Sequence, residues 1–133
     1  MATLPFVIIA GRGETDAVAE SWPLISSVLL LSTSPVSFTF VTEASGAGIL
    51  QARFDELKHR GARVPVTVRI LEFKIERTLA FAREINLTVT HHSGAWGMTK
   101  LFLPWLFPEW RDIIVIDTDM VLVSDPAPLA AEL

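Results

Sequence analysis

The residues of this chain best suited to chemistry are Asp117 and Asp119, set in the run Ile113-Ile114-Val115-Ile116-Asp117-Thr118-Asp119-Met120-Val121-Leu122-Val123. An apolar run leading into acids at i and i+2 is the pattern of a buried strand reaching the rim of a sheet. In extended backbone alternate side chains share a face, so the carboxylates aim together while Thr118 points away. Neighbouring carboxylates repel unless a proton or a cation lies between them. The chemistry expected of the pair is to hold a hard divalent ion, Mg²⁺ or Mn²⁺, whose remaining ligands are phosphate oxygens. That implies a nucleotide diphosphate. Acid pairs at this spacing also occur as solvated strand ends or turn caps; the apolar segments on both sides favour metal.

Other polar residues carry less. Lys100 sits in an otherwise apolar helical segment, where an ammonium needs an anionic partner or a route to water. His91 and His92 have the chemistry of metal ligands but read more simply as neighbours of a turn or helix cap, with Ser93 the natural N-cap of the helix that follows. Asp125 organises the turn before Pro126. Trp96, Trp105 and Trp110 are core or rim packing. Asn86-Leu87-Thr88 has the form of a glycosylation sequon, a triplet that arises often by chance.

The elements that must position these residues alternate. Phe6 to Ala10 is wholly apolar and ends in Gly11-Arg12-Gly13, as expected of a strand buried on both faces. A helix follows from about Glu14 or Glu20 to Leu31, with Trp22, Ile25, Val28 and Leu29 on one face, broken by Ser32-Thr33-Ser34-Pro35. Val36 to Val41 is the second strand. Ser45-Gly46-Ala47-Gly48 reads as a turn, and Ile49 to Arg60 as an amphipathic helix aligning Leu50, Phe54 and Leu57, with Gly61 as its stop. Val64 to Phe73 is the third strand. Ile75, Leu79, Ala82 and Ile85 form a helical stripe within Lys74 to Leu87. Gly94 to Phe107 is a mostly buried helix, with Pro104 marking a kink or an early end. Asp112 to Ile116 is the fourth strand, and Met120 to Val123 a short continuation stopped by Ser124-Asp125-Pro126. Strands and helices in this order predict a parallel α/β sheet, in which ligands bind beyond the carboxyl ends of the strands. Gly11 and Asp117 both fall at such ends.

Composition sets the outer bounds. A chain of 133 residues, 50% hydrophobic and 20% charged, fits one domain with a real core. A net charge of −4 without a basic stripe argues against nucleic-acid binding. The absence of cysteine excludes disulfides, thiolate catalysis and zinc–thiolate sites, and leaves the compartment open. The apolar stretch Pro23 to Leu31 is far short of the roughly 20 residues that span a bilayer. Met1-Ala2-Thr3-Leu4-Pro5 lacks the basic start and cleavage pattern of a signal peptide.

The segment His91-His92-Ser93-Gly94-Ala95-Trp96-Gly97-Met98-Thr99-Lys100-Leu101-Phe102-Leu103-Pro104, then Ile113 to Asp119, then Asp125-Pro126-Ala127-Pro128-Leu129, resembles glycosyltransferase family 8, and within it the LARGE-like xylosyl- and glucuronyltransferases. Their pattern is a His-aromatic-Ser-Gly run, a helix carrying Lys-Leu, a Leu-Pro, an Asp-x-Asp on a strand, and an Asp before an apolar Leu. Here His92 stands in place of the aromatic. The match is strongest over Val89 to Leu133 and collinear from Phe6 to Phe73.

The resemblance implies a GT-A, Rossmann-like nucleotide-diphospho-sugar transferase fold: a mainly parallel sheet flanked by helices, spanning residues 1–133 as a partial donor-binding domain. It implies that the donor, a UDP-sugar, is contacted at Ala10, Gly11, Lys100, Asp117 and Thr118. Asp117 and Asp119 would hold Mn²⁺ (or Mg²⁺), and Asp117 would also reach the ribose. The aromatic that stacks on the base in the family has no counterpart, and the chain has no tyrosine. The family reaction is retaining glycosyl transfer to a glycan or glycoprotein acceptor, usually in the Golgi lumen; no residue here can be named as nucleophile. Family members also use a further metal-ligating His and an acceptor-binding half, neither of which falls within these residues, so the chain alone is expected to be weakly active or inactive. Two other readings remain: a non-catalytic remnant, and a haloacid dehalogenase-type phosphatase, which also places Asp-x-Asp after an apolar strand but near the N-terminus.

Overall fold

The computed structural model describes residues 2–11, 16–58, 62–89 and 94–133. Four strands, β1 (Leu4–Ile9), β2 (Val36–Thr42), β3 (Val66–Glu72) and β4 (Ile114–Val115), form one parallel sheet in the order β3-β2-β1-β4. Strict alternation sorts their side chains. Leu4, Val36 and Val66 share a rung, as do Phe6, Phe38 and Val68, and Ile8, Phe40 and Ile70. These rungs face α2 (Trp22–Leu31) and α3 (Ala44–Lys58), which close the main core with Leu24, Ile25, Val28, Leu50 and Phe54. The rings of Phe6 and Phe38 stack at 6.1 Å, and Phe54 lies 6.0 Å from Phe38 and 5.5 Å from Phe40. Each such buried ring contributes about 1.5–3 kcal/mol by leaving water.

The opposite face carries Val7 and Val41. There Phe73, Leu103 and Phe107 cover the sheet, within the layer formed by α5 (Gly94–Thr99) and α6 (Leu103–Leu106). The remaining helices are the single turn α1 (Ala17–Glu20) and α4 (Glu76–Glu84). The chain winds outward from β1 to β2 and β3, then returns to place β4 on the other side of β1. The carboxyl ends of β1 and β4 therefore flank the point where winding reverses, and a crevice opens there in such sheets.

Several boundaries differ from those expected. The first helix divides at Ser21, whose hydroxyl donates to the Val18 carbonyl at 2.7 Å, and a new helix starts with Pro23 in its opening turn, where a missing N–H costs little. The Glu14 start lies outside the described residues, as does the Gly61 stop. Ser45-Gly46-Ala47-Gly48 is not a turn but the beginning of α3. A Cβ on Gly46 would overlap the Thr42 hydroxyl, so this glycine allows close helix–strand approach. The third strand is confined to Val66–Glu72, and the Lys74 to Leu87 stripe becomes α4, after which Asn86 takes a left-handed φ of 55°.

Gly94 to Phe107 is not one buried helix. Pro104 cannot donate, and its ring crowds the carbonyl four residues back. A 3₁₀ turn at Lys100–Phe102 separates α5 from α6, and Leu101 and Trp105 are 61% and 63% exposed. Trp105 stacks on Phe81, and Trp110 on Phe107. β4 keeps only Ile114–Val115 of the expected strand, extended by the Ile116 amide donating to Val7 at 3.1 Å. Met120 to Val123 forms no strand. The chain has left the sheet edge, and the Leu122 amide donates to Ser27 Oγ at 2.9 Å instead.

Candidate functional site at the ends of β1 and β4

Beyond β4 the acidic segment folds as a turn, closed by the Met120 amide donating to the Asp117 carbonyl at 3.3 Å. The extended geometry expected from the apolar lead-in is thus replaced by a bend. In this bend Asp117 and Asp119 are exposed, and Thr118 between them is 9% exposed. The Thr118 hydroxyl donates to Glu20 Oε2 at 2.9 Å, which ties the turn to the end of α1.

Lys100 reaches the same turn from the opposite layer. Its Nζ stands 2.9 Å from Asp117 Oδ1, with the two side chains 37% and 52% exposed. The 3₁₀ turn before Pro104 sets where this lysine leaves the helical layer. The anionic partner that an ammonium in an apolar segment requires is therefore Asp117 itself. Asp119 is exposed, and among the described residues no cation pairs with it.

Ala10 and Gly11, at the carboxyl end of β1, are both buried. The Ala10 amide donates to Val41 at 3.0 Å, and its carbonyl accepts from Thr42 Oγ1 at 2.7 Å. A Cβ on Gly11 would overlap the indole of Trp96, so the glycine admits α5 against the strand end. Trp96 in turn meets Phe73 edge-on at 6.1 Å. Arg12, Gly13, His91, His92 and Ser93 lie outside the described residues.

Asp125 organises the turn at Pro126, as expected, and also grips the α2–β2 connection. Its carboxylate accepts from the Thr33 amide at 3.2 Å, from the Thr33 hydroxyl, and from the Ala127 amide at 3.0 Å. These bonds, the Thr33 hydroxyl foremost and then the Ala127 amide, hold its carboxyl below the usual 3.8. A groove of about 250 Å³ lies elsewhere, lined by Pro5, Thr39, Arg69, Trp110 and Arg111 among others.

The two exposed acids are hard oxygen donors, and among the described residues no group of three or more His, Cys, Asp or Glu could hold a metal ion by itself. A donor set of this kind suits a hard cation that keeps water or phosphate in its other positions, as Mg²⁺ does. Trp96 packs against the core, as expected, and its contact with Gly11 was signalled only by a small residue at a strand end. Glu20 carried no signal, because nothing local links it to Thr118.

The sheet order, the helices on both faces and the acidic turn at the winding reversal define an incomplete GT-A, Rossmann-like fold. Over 98% of this chain and 48% of the other, the structure matches that of mouse xyloside xylosyltransferase 1 with a TM-score of 0.70 and 15% identity. In sequence the chain is similar to the human xylosyl- and glucuronyltransferase LARGE2, at 28% identity over 131 residues, which are 94% of this chain and 16% of that protein. No protein-family model matches. The chain thus spans about half of the solved relative and a smaller part of the curated one. The resemblance to these transferases extends over nearly its whole length.

Proposed function

We propose that this chain forms the donor-binding part of a glycosyltransferase, gripping a UDP-sugar through a divalent cation held by Asp117 and Asp119. The observation that carries this reading is the exposure of both carboxylates on the turn past β4, with Lys100 2.9 Å from Asp117. Asp117 and Asp119 would hold Mn²⁺ or Mg²⁺, which supplies charge neutralisation to the two phosphates as the sugar departs. Lys100 adds a cation on the same side of the turn, suited to a phosphate or sugar oxygen. Thr118 and Glu20 keep the turn in place. Ala10 and Gly11, buried at the carboxyl end of β1 with Trp96 packed on Gly11, are the β1 positions set against the donor in this reading.

In this reading the acceptor is a glycan or glycoprotein and the reaction belongs to the Golgi lumen. No helix of the described residues is long and apolar enough to cross a membrane. The phosphatase alternative draws no support from an acid pair that follows the fourth strand of the sheet and not the first. Calorimetric titration with UDP, with and without Mn²⁺, tests the reading. Binding that requires Mn²⁺ and disappears in Asp119→Asn supports it; absence of UDP binding with and without metal overturns it and leaves a folded remnant.

A further inference from the structure

The cation expected at the acidic turn meets a competitor that belongs to the protein. Lys100 Nζ already lies 2.9 Å from Asp117 Oδ1. An ammonium on one of the two carboxylates lowers the net negative charge of the pair from two to one. A free divalent cation approaching Asp117 must displace that ammonium or bind beside it, against like charge. A diphosphate changes this balance. It offers anionic oxygens to the lysine, and a lysine on a flexible four-carbon stem can reorient towards them. Both side chains are partly exposed, at 37% and 52%, so water screens the pair and the exchange costs little.

We infer that Lys100 is a specificity-determining residue that makes the acid pair discriminate against a free cation and in favour of a cation arriving with a diphosphate. The inference rests on the donor-site reading above and adds a coupling to it. With Lys100 on Asp117, the pair binds metal weakly. When a diphosphate draws Lys100 away, Asp117 becomes fully available. By linkage, the diphosphate then strengthens cation binding by the same factor as the cation strengthens diphosphate binding. Among the described residues no ammonium lies on Asp119, so it serves as the first contact for the cation, and Asp117 is the residue whose availability is gated.

The test is calorimetry on the whole chain with Mn²⁺ alone, with UDP alone and with both, in the wild type, Lys100→Met and Lys100→Arg. Lys100→Met keeps an unbranched stem and removes the charge. It is expected to bind free Mn²⁺ about threefold to tenfold more tightly than wild type. In saturating Mn²⁺ it is expected to bind UDP about tenfold more weakly, having lost a charge-assisted contact. Lys100→Arg, which keeps the positive charge, should lie closer to the wild type than Lys100→Met in both titrations. Far-ultraviolet dichroism and the urea midpoint establish that each variant is folded. If folded Lys100→Met binds free Mn²⁺ no more tightly than wild type, the inference falls while the donor-site reading stands. If no variant binds Mn²⁺ or UDP, the donor-site reading falls and takes the inference with it.

Discussion

The hydroxyl of Thr118 donates to the Glu20 carboxylate at 2.9 Å, across 98 positions of sequence. This bond joins the turn that carries both acids to the helix that follows β1. Thr118 is nearly buried, so its polar group needs a partner, and a charged acceptor is the stronger kind. On the other side of the turn Lys100 holds Asp117. The acidic turn is therefore held between the helical layers on the two faces of the sheet.

Glu20→Ala should cost about 1 kcal/mol of unfolding free energy, measured by urea denaturation, because the Thr118 hydroxyl loses its acceptor in a partly buried place. It should also loosen the turn and weaken Mn²⁺ binding severalfold in calorimetry. Glu20→Gln, whose amide oxygen still accepts from Thr118, should recover most of both. Equal Mn²⁺ affinity in Glu20→Ala and wild type would deny Glu20 a positioning role.

The contact between Gly11 and Trp96 makes a second case. Gly11→Ala places a Cβ within the indole, so helix or strand must shift. Overpacking of this kind costs about 1–3 kcal/mol. Replacing Trp96 by Leu in the same chain should relieve part of that loss, and a double-mutant cycle in urea should give a favourable coupling. Additive losses would mean that the two residues do not press on each other.

The parts of this fold that were legible in the sequence are those set by local pattern. Phe6 to Ala10 and Val36 to Val41 are apolar runs of strand length, and they pair as neighbours in the sheet. Asp117, Asp119 and Lys100 were picked out because charge beside apolar sequence demands an explanation. What escaped was non-local or steric. Gly46 has the composition of a turn, yet it opens a helix because a strand residue, Thr42, presses on it. Extended backbone was expected through Asp119, but an edge strand with two paired residues has nothing to hold it past Ile116. Glu20 could not be linked to Thr118 without the sheet order.

Asp125 provides a pH test. Its bonds to Thr33 and Ala127 favour the charged form, so its native pKa lies below the ordinary 3.8. A group with a depressed native pKa adds stability above its unfolded value and loses it as pH falls through the native one. The contribution of Asp125 should be complete at neutral pH and vanish in acid below that ordinary value. The difference in urea midpoint between wild type and Asp125→Asn should therefore be present at pH 7 and shrink towards zero in strong acid. A constant difference across that range would mean that the carboxylate charge plays no part in the clamp between the α2–β2 connection and the turn at Pro126.

The ion pair at the site separates stability from binding. Lys100 and Asp117 are each partly exposed, and pairs of that kind contribute at most about 1 kcal/mol. Asp117→Asn should accordingly unfold within about 1 kcal/mol of the wild type. Asp119→Asn removes an exposed carboxylate and should be closer still to neutral. Neither acid supports the core, whose buried side chains come from the sheet, α2 and α3. Their effect belongs to the cation: an isolated carboxylate beside Lys100 leaves no net negative charge on the turn, so Asp119→Asn should abolish measurable Mn²⁺ binding. Asp117→Asn likewise leaves one carboxylate near Lys100, with a neutral amide oxygen in place of the second anionic donor, so Mn²⁺ binding should fall by at least about tenfold. Calorimetry and urea denaturation on the same preparations check the pair of claims. Loss of folding in either variant would assign the acids to the scaffold; full retention of Mn²⁺ binding in both would remove them from the site.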